Sequence, residues 1–392
     1  MTIPPYVPVL LAMTAAQSLV SLAMLSPAAM APEIARDLGL AASRIGWWVS
    51  LAYGCAMLTS LMGGDAVRRL GAARATQVAL SLVAGGAVCT ALGHIALVLA
   101  GAGLIGLGYG MTNPAASHLL ARTTDPAHRN LVFSIKQTGV PLGGTLAGLI
   151  APPVALAFGW PATMILIGLL CAGLVALLGL GRTAWDGDRD PKAGLTSRPL
   201  DGLGLIWRTP RLRLLSLTGF AYAAVQLSVS TFMVTMLVTD LHWSLVQAGM
   251  LLSALQVAGV VGRISLGTLA DRVFGGIPTL IGLGAATAVL AIITGFASPD
   301  WPTALVYGLL VPFGAAALGW NGIYLAELAH SAPPSQIPRV TGASLFFTYG
   351  GVLFGPPVFA ALHGWLGSYL LTYAVSAVPA LIGTGLLLAM RR

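Results

Sequence analysis

Lys136 stands inside a mostly apolar run, Arg129-Asn-Leu-Val-Phe-Ser-Ile-Lys-Gln-Thr-Gly139, and is one of only two lysines in the chain. Arg129 marks the polar edge of that run, and seven residues of helix rise about 10 Å, so the ammonium starts well inside an apolar stretch. An ionisable group there is costly unless it faces a wet cavity or a partner. Two readings stay open. In one, Lys136 faces a cavity and binds an anion; in the other, its stem carries the ammonium back to the lipid headgroups. Glu33, Asp65, Asp240, Asp300 and Glu327 all fall near the ends of apolar runs. With no acid mid-run to neutralise it, Lys136 is free to pair with an anionic substrate such as a carboxylate. The same absence argues against a cation or drug/proton antiporter, which needs a buried acid to hold and release its cargo.

Other polar residues in apolar runs are candidates for the same site: Gln17, Asn113, Gln137, Asn321 and Tyr324, with Tyr222 and Gln226 four apart on one helical face. Asparagine and glutamine in membrane helices also hydrogen-bond neighbouring helices, so each has a structural reading beside the substrate-binding one. Trp320, next to Asn321, either lines a cleft or packs against a neighbour. His118, one turn before Arg122, either titrates during proton coupling or sits at the interface without a role. Gly139, Gly143, Gly144 and Gly148 read as close helix-packing positions. Cys55, Cys89 and Cys171 lie in separate apolar runs without metal-ligand spacing. No phosphate-binding glycine loop ending in Lys-Ser or Lys-Thr occurs, so no nucleotide, metal or other cofactor is expected. Nor do paired acids or His/Cys clusters suggest an enzyme.

The elements that must position these residues follow from composition. The 392-residue chain is 57% hydrophobic and 8% charged, too little polar surface to cover a water-facing globule. The continuous apolar runs exclude a β-barrel. They predict an all-α membrane protein with twelve transmembrane helices near residues 7–30, 44–63, 75–93, 95–121, 131–157, 161–181, 212–239, 245–266, 277–297, 302–328, 341–362 and 367–390. The first run, without a basic leader, is expected to stay as helix 1.

The net charge of +8 comes from basic residues scattered between the runs, which reads as topology and not as a nucleic-acid patch. With the N-terminus inside, the cytoplasmic loops and tail receive Arg68, Arg69, Arg74, Arg122, Arg129, Arg263, Arg272, Arg339, Arg391, Arg392 and the basic residues from Arg182 to Arg213. The other side receives Arg36 and Arg44. Both termini are therefore expected in the cytoplasm. Asp186, Asp188, Asp190, Pro191 and Pro199 mark a linker at 182–211 between bundles at 1–181 and 212–392. Its Leu200–Trp207 part is expected to lie flat on the membrane. Trp47, Trp48, Trp160, Trp243, Trp301 and Trp365 fit an aromatic belt at the outer ends.

The halves repeat. Gly64-Asp-Ala-Val-Arg-Arg-Leu-Gly71 returns as Gly267-Thr-Leu-Ala-Asp-Arg-Val-Phe-Gly275, and Arg129–Gly139 as Arg339–Gly350, with Phe346 matching Lys136. Pro152-Pro153 recurs as Pro356-Pro357, and Asn113 pairs with Asn321. Two pseudo-symmetric six-helix bundles are expected, with a solute site near the midplane.

Gly267-Thr-Leu-Ala-Asp271-Arg272 resembles the signature loop of the major facilitator superfamily, and with the 6+6 repeat the resemblance extends over the whole chain. It implies the superfamily's fold and a gating role for Gly267, Asp271 and Arg272, joined by Arg263, with Gly64 and Arg69 in the first copy. That copy departs from the pattern, since Arg68 stands where the aspartate belongs. Ala102 stands where proton-coupled members often carry an arginine, and the antiporter signature is half matched by Gly139–Gly144.

These readings combine into one expectation. The chain is a secondary transporter of the bacterial-type inner membrane, working as a monomer, that moves a small organic anion with protons by alternating access. The alternative is an efflux carrier for neutral or amphipathic compounds, with a mostly apolar cleft and Lys136 turned to the headgroups.

Overall fold

The computed structural model describes residues 4–39, 45–194, 200–243 and 245–390. Arg44, Pro199, Arg391 and Arg392 lie outside these residues, as does the side chain of Trp47. Every regular element among the described residues is helical. The long helices are α1 (Tyr6–Ala29), α2 (Ile45–Leu70), α3 (Ala72–Ala91), α4 (Ile95–Thr123), α5 (Arg129–Gln137 and Gly139–Phe158) and α6 (Trp160–Trp185). After the short helix Leu200–Arg208 come α7 (Pro210–Thr239), α8 (Leu245–Leu269), α9 (Gly276–Thr294), α10 (Thr303–Leu318 and Asn321–Ser331), α11 (Ile337–Leu366) and α12 (Tyr369–Val375 and Ala377–Ala389). Eleven of these are long and apolar enough to cross a membrane. The twelfth, α2, has 26 residues, above the roughly 20 that a bilayer requires.

Several boundaries differ from the sequence reading, for local reasons. α2 runs to Leu70 instead of stopping near residue 63, so Asp65, Arg68 and Arg69 are helical. α5 and α12 are each divided, after Gln137 and after Val375. Pro141 and Pro379 stand four residues beyond those points. A proline has no N–H for the carbonyl four residues back, and its ring crowds that carbonyl. α10 breaks at Gly319-Trp320, and there the Nε of Arg263 donates to the Leu318 carbonyl at 2.9 Å. The sharp α2–α3 and α8–α9 junctions use Gly71 and Gly275, at φ +92° and +81°, a region that side-chain-bearing residues avoid. Repeat-related positions thus carry the same turn.

Two compact units emerge. One holds Met1–Pro126, Ile135–Leu205 and Ala332–Phe346; the other holds Ala127–Ser134, Ile206–Ser331 and Phe347–Arg392. In the first, small residues let helix backbones approach. A Cβ on Gly106 would fall 2.1 Å from the Ala52 carbonyl, and one on Gly143 would fall 2.4 Å from that of Ser18. The second is built on an apolar core that includes Val229, Met233, Leu251, Leu255, Phe313 and Tyr373. The aromatic-belt expectation needs correction at two places, because Trp48 and Trp160 are buried in the protein, with the Trp160 Nε1 donating to Asp37 at 2.9 Å. Trp365 is 90% exposed, as a belt residue would be.

Candidate functional site

Lys136 lies in the last turn of the first piece of α5 and is 2% exposed. Its ammonium has three N–H groups to place. One donates to Gln17 Oε1 at 2.8 Å, one to Asn113 Oδ1 and one to Gln137 Oε1 at 3.2 Å. All three acceptors are neutral amide oxygens, contributed by α1, α4 and α5. No ion pair to Lys136 occurs among the described residues. The arrangement supplies dipoles to a buried charge without cancelling it.

Local sequence explains how the cage assembles. The break at residue 138 ends the helix just after Lys136-Gln137, and Thr138 turns its hydroxyl to the Ile135 carbonyl at 2.7 Å. Gly139 then allows α1 to approach, since a Cβ there would fall 2.8 Å from the Thr14 carbonyl and 2.9 Å from Gln17 Cβ. That contact brings Gln17 to Lys136 across 119 positions of sequence. Two further polar groups, absent from the sequence reading, complete the site. The Thr112 hydroxyl shares its proton between the Tyr109 carbonyl at 2.8 Å and Gln17 Oε1 at 3.2 Å. Gln17 Nε2 donates to Ser21 Oγ at 3.3 Å. Their only sequence signals were position, Thr112 beside Asn113 and Ser21 four residues after Gln17.

The remaining candidates gather in the second unit. Asn321 donates to Gln226 Oε1 at 2.8 Å. Tyr222 shares a helical face with Gln226, but its hydroxyl donates to the Leu280 carbonyl at 3.1 Å and lies 3.2 Å from Thr384 Oγ1. Trp320 sits edge-on between Tyr222 and Tyr324, at ring separations of 5.7 and 5.2 Å. Its Nε1 is buried with no hydrogen-bond partner. A small cavity beside it is lined by Tyr222, Leu283, Thr287 and Trp320 among others. These residues are engaged mostly with each other and with the packing of α7, α9, α10 and α12.

The signature-loop residues make two different kinds of contact. Asp271 lies in a single π-helical turn, Ala270–Phe274, that ends α8. Its carboxylate accepts from the backbone N–H of Asn130 at 3.2 Å, from that of Leu131 at 2.8 Å and from Asn130 Nδ2 at 2.7 Å. It therefore caps the start of α5, where the helix dipole favours negative charge. Gly267 makes room for this contact, as a Cβ there would fall 2.6 Å from Ser134 Oγ. Arg272 is exposed, whereas Arg263 is 3% exposed.

In the first copy, Gly64 packs on the Arg339 backbone, with a Cβ placed 2.5 Å from its Cα. The neighbouring Asp65 accepts from Arg339 Nη2 at 3.0 Å. Among the described residues Arg68 and Arg69 form no such pair, but the Arg68 carbonyl accepts the Asp190 N–H at 2.8 Å.

The linker makes the other contacts that sequence reasoning missed. Asp186 accepts from the N–H groups of Ala73 at 2.7 Å and Arg74 at 3.2 Å, capping α3. Asp188 meets His118 Nε2 at 2.6 Å and pairs with Arg122. Burial pushes the Asp186 carboxyl up, against the pull of the two N–H bonds. Burial also raises that of Asp188, but the Arg122 hydrogen bond and the adjacent His118 outweigh it and hold the carboxyl below its usual value.

The helices, their repeat and the buried polar cage define a polytopic membrane protein built like a carrier. The family model described as the Major Facilitator Superfamily matches residues 11–356, and the chain belongs to that superfamily. It is 25% identical over 336 residues to an MFS-type transporter of Mycobacterium tuberculosis, covering 84% of this chain and 73% of the other. It is also 26% identical over 368 residues to monocarboxylate transporter 13 of Rattus norvegicus, covering 89% and 80%. The same fold occurs in the crystal structure of the transporter FucP in its outward conformation, with TM-score 0.80, 16% identity and coverage of 98% and 99%. The protein is thus a superfamily transporter.

Proposed function

We propose that this transporter is a secondary carrier that moves a small organic anion bearing a carboxylate across a bacterial-type inner membrane by alternating access. Protons are the coupling ion in this reading, and both termini face the cytoplasm, the orientation that the distribution of basic residues supports. The observation that carries the substrate class is Lys136, a buried ammonium held by three neutral amides. A carboxylate entering such a site brings the charge that the amides lack and can replace one of their oxygens on the ammonium. The name of monocarboxylate transporter 13 points the same way.

The protein acts here as a monomeric carrier and not as an enzyme. A second reading, an efflux carrier for neutral or amphipathic compounds, draws on the Trp320, Tyr222 and Tyr324 cluster, whose surfaces suit an apolar ligand.

Thermal unfolding of the purified protein in detergent, with small carboxylates, organic cations and neutral amphiphiles, separates the two. A ligand that binds the folded state raises the transition temperature with concentration. Stabilisation by a carboxylate that vanishes in Lys136→Ala is expected. Stabilisation by neutral compounds alone, unchanged in that variant, would sink the anion reading.

A further inference from the structure

The short helix Leu200–Arg208 meets the first turn of α7 at Thr209, and the chain places Trp207, Arg208, Arg211 and Arg213 around that junction. One face of the short helix is buried, with Ile206 at 0% exposed and a Cβ on Gly202 falling 3.0 Å from Ala343 Cβ. Trp207 is instead 56% exposed, although an indole is mostly apolar. Arg213 holds it there: the guanidinium carbon lies 5.7 Å from the centre of the indole, and Nη1 donates to the Trp207 carbonyl at 3.3 Å. Both partners are neutral, so the charge of Arg213 is engaged without being cancelled. Arg208 is exposed and forms no ion pair among the described residues. Arg211 differs, because it lies 3.6 Å from the Glu327 carboxylate and donates from Nε to Ser331 Oγ at 2.9 Å. No acid stands in the first turn of α7. Asp201 lies seven residues before Arg208, about 10 Å of helix rise away.

We propose that Trp207, Arg208 and Arg213 form a binding site for the headgroup of a negatively charged phospholipid. The apolar run of α7 begins at Pro210, so these side chains stand at the level of the bilayer edge. A tryptophan suits that boundary, with its ring toward apolar carbon and its N–H toward water. An indole by itself makes little distinction between headgroups. The two uncancelled guanidiniums do, since each offers a planar pair of N–H donors that matches the oxygens of a phosphate. A headgroup of net negative charge supplies the counter-charge that the protein withholds. A zwitterionic lipid brings its own ammonium and loses that advantage. This lipid site is independent of the transported substrate and of Lys136.

Bromine on a lipid chain quenches the fluorescence of a tryptophan that touches it, which makes the site measurable. Wild type and Trp207→Phe are reconstituted in phosphatidylcholine vesicles with increasing fractions of brominated phosphatidylglycerol or brominated phosphatidylcholine. The difference between the two proteins isolates Trp207 among nine tryptophans. Brominated phosphatidylglycerol should quench that signal at lower mole fraction than brominated phosphatidylcholine. Arg208→Gln and Arg213→Gln should each reduce the preference about fivefold. Should Arg213→Gln fail to fold, Arg208→Gln carries the test, because Arg208 is exposed. Trp365 is the internal comparison, being 90% exposed and lying in a stretch with no arginine or lysine between Arg339 and Arg391. Its signal, isolated with Trp365→Phe, should show no preference for the anionic lipid. Equal quenching of Trp207 by the two lipids would leave an ordinary interfacial tryptophan and overturn the site. So would a preference that Trp365 shares, or one that the arginine variants retain in full. Quenching by neither lipid would put Trp207 in water and overturn it as well.

Discussion

A buried ammonium whose three N–H groups all meet neutral oxygens is held without being neutralised. Removing such a charge from water is expensive, and amide dipoles offset only part of the cost. Replacing one amide by a carboxylate would change the kind of site this is. In Asn113→Asp the new acid would sit against Nζ as a permanent counter-ion. The variant should bind its own lysine and show no rise in unfolding temperature with any carboxylate that stabilises wild type. A wild-type response in Asn113→Asp would place the anion elsewhere. Tyr222 carries the opposite lesson at this scale, because its hydroxyl is taken by Leu280 and Thr384 and has little left for a solute.

Helix ends dominate the next scale up. Asp271 caps the start of α5 from the second copy of the signature loop, while in the first copy Asp65 pairs with Arg339. The displaced aspartate makes a side-chain ion pair where its counterpart makes a helix cap. Asp271→Ala should cost about 1 kcal/mol of stability, as for other lost N-caps. Hydrogen exchange at the Asn130 and Leu131 amides should accelerate, and unchanged protection there would dismiss the cap. The linker has its own dependence on acid. The Asp188 carboxyl titrates below its unfolded value of about 3.9, so its contribution is present above that pH and is lost as the pH falls through the folded value. Asp186 has the opposite sign, its carboxyl being raised, and gains on mild acidification. Exchange of the 183–193 segment should therefore rise in strong acid in wild type, and Asp188→Asn should lack that step. A half-exposed pair is screened by solvent, so the effect is expected to be small.

For the whole molecule, the repeat supplies two related halves and Lys136 breaks their equivalence. Its counterpart is Phe346, in an α11 that runs unbroken where α5 divides at Thr138. The charge and the break coincide in one copy, as expected where a shared scaffold has been adapted to one cargo. In proteoliposomes, a carboxylate that stabilises the protein should accumulate under an imposed pH gradient without ATP, and a protonophore should abolish the accumulation. Accumulation indifferent to the gradient would remove protons as the coupling ion.

Much of this architecture is written locally. Hydropathy along the chain determined the spans, and Gly71 and Gly275 determined the repeated turns. Lys136 was visible as a lone charge in an apolar run for the same reason: burying a charge is costly wherever the chain goes. Tertiary structure alone decided which amides hold it, that Asp186 caps α3 from 113 residues away, and that Tyr222 and Gln226 part company despite sharing a face. Those contacts depend on how closely helix backbones approach at glycines such as Gly139 and Gly143. That distance is set by the packing of many side chains at once, and no window of sequence contains it.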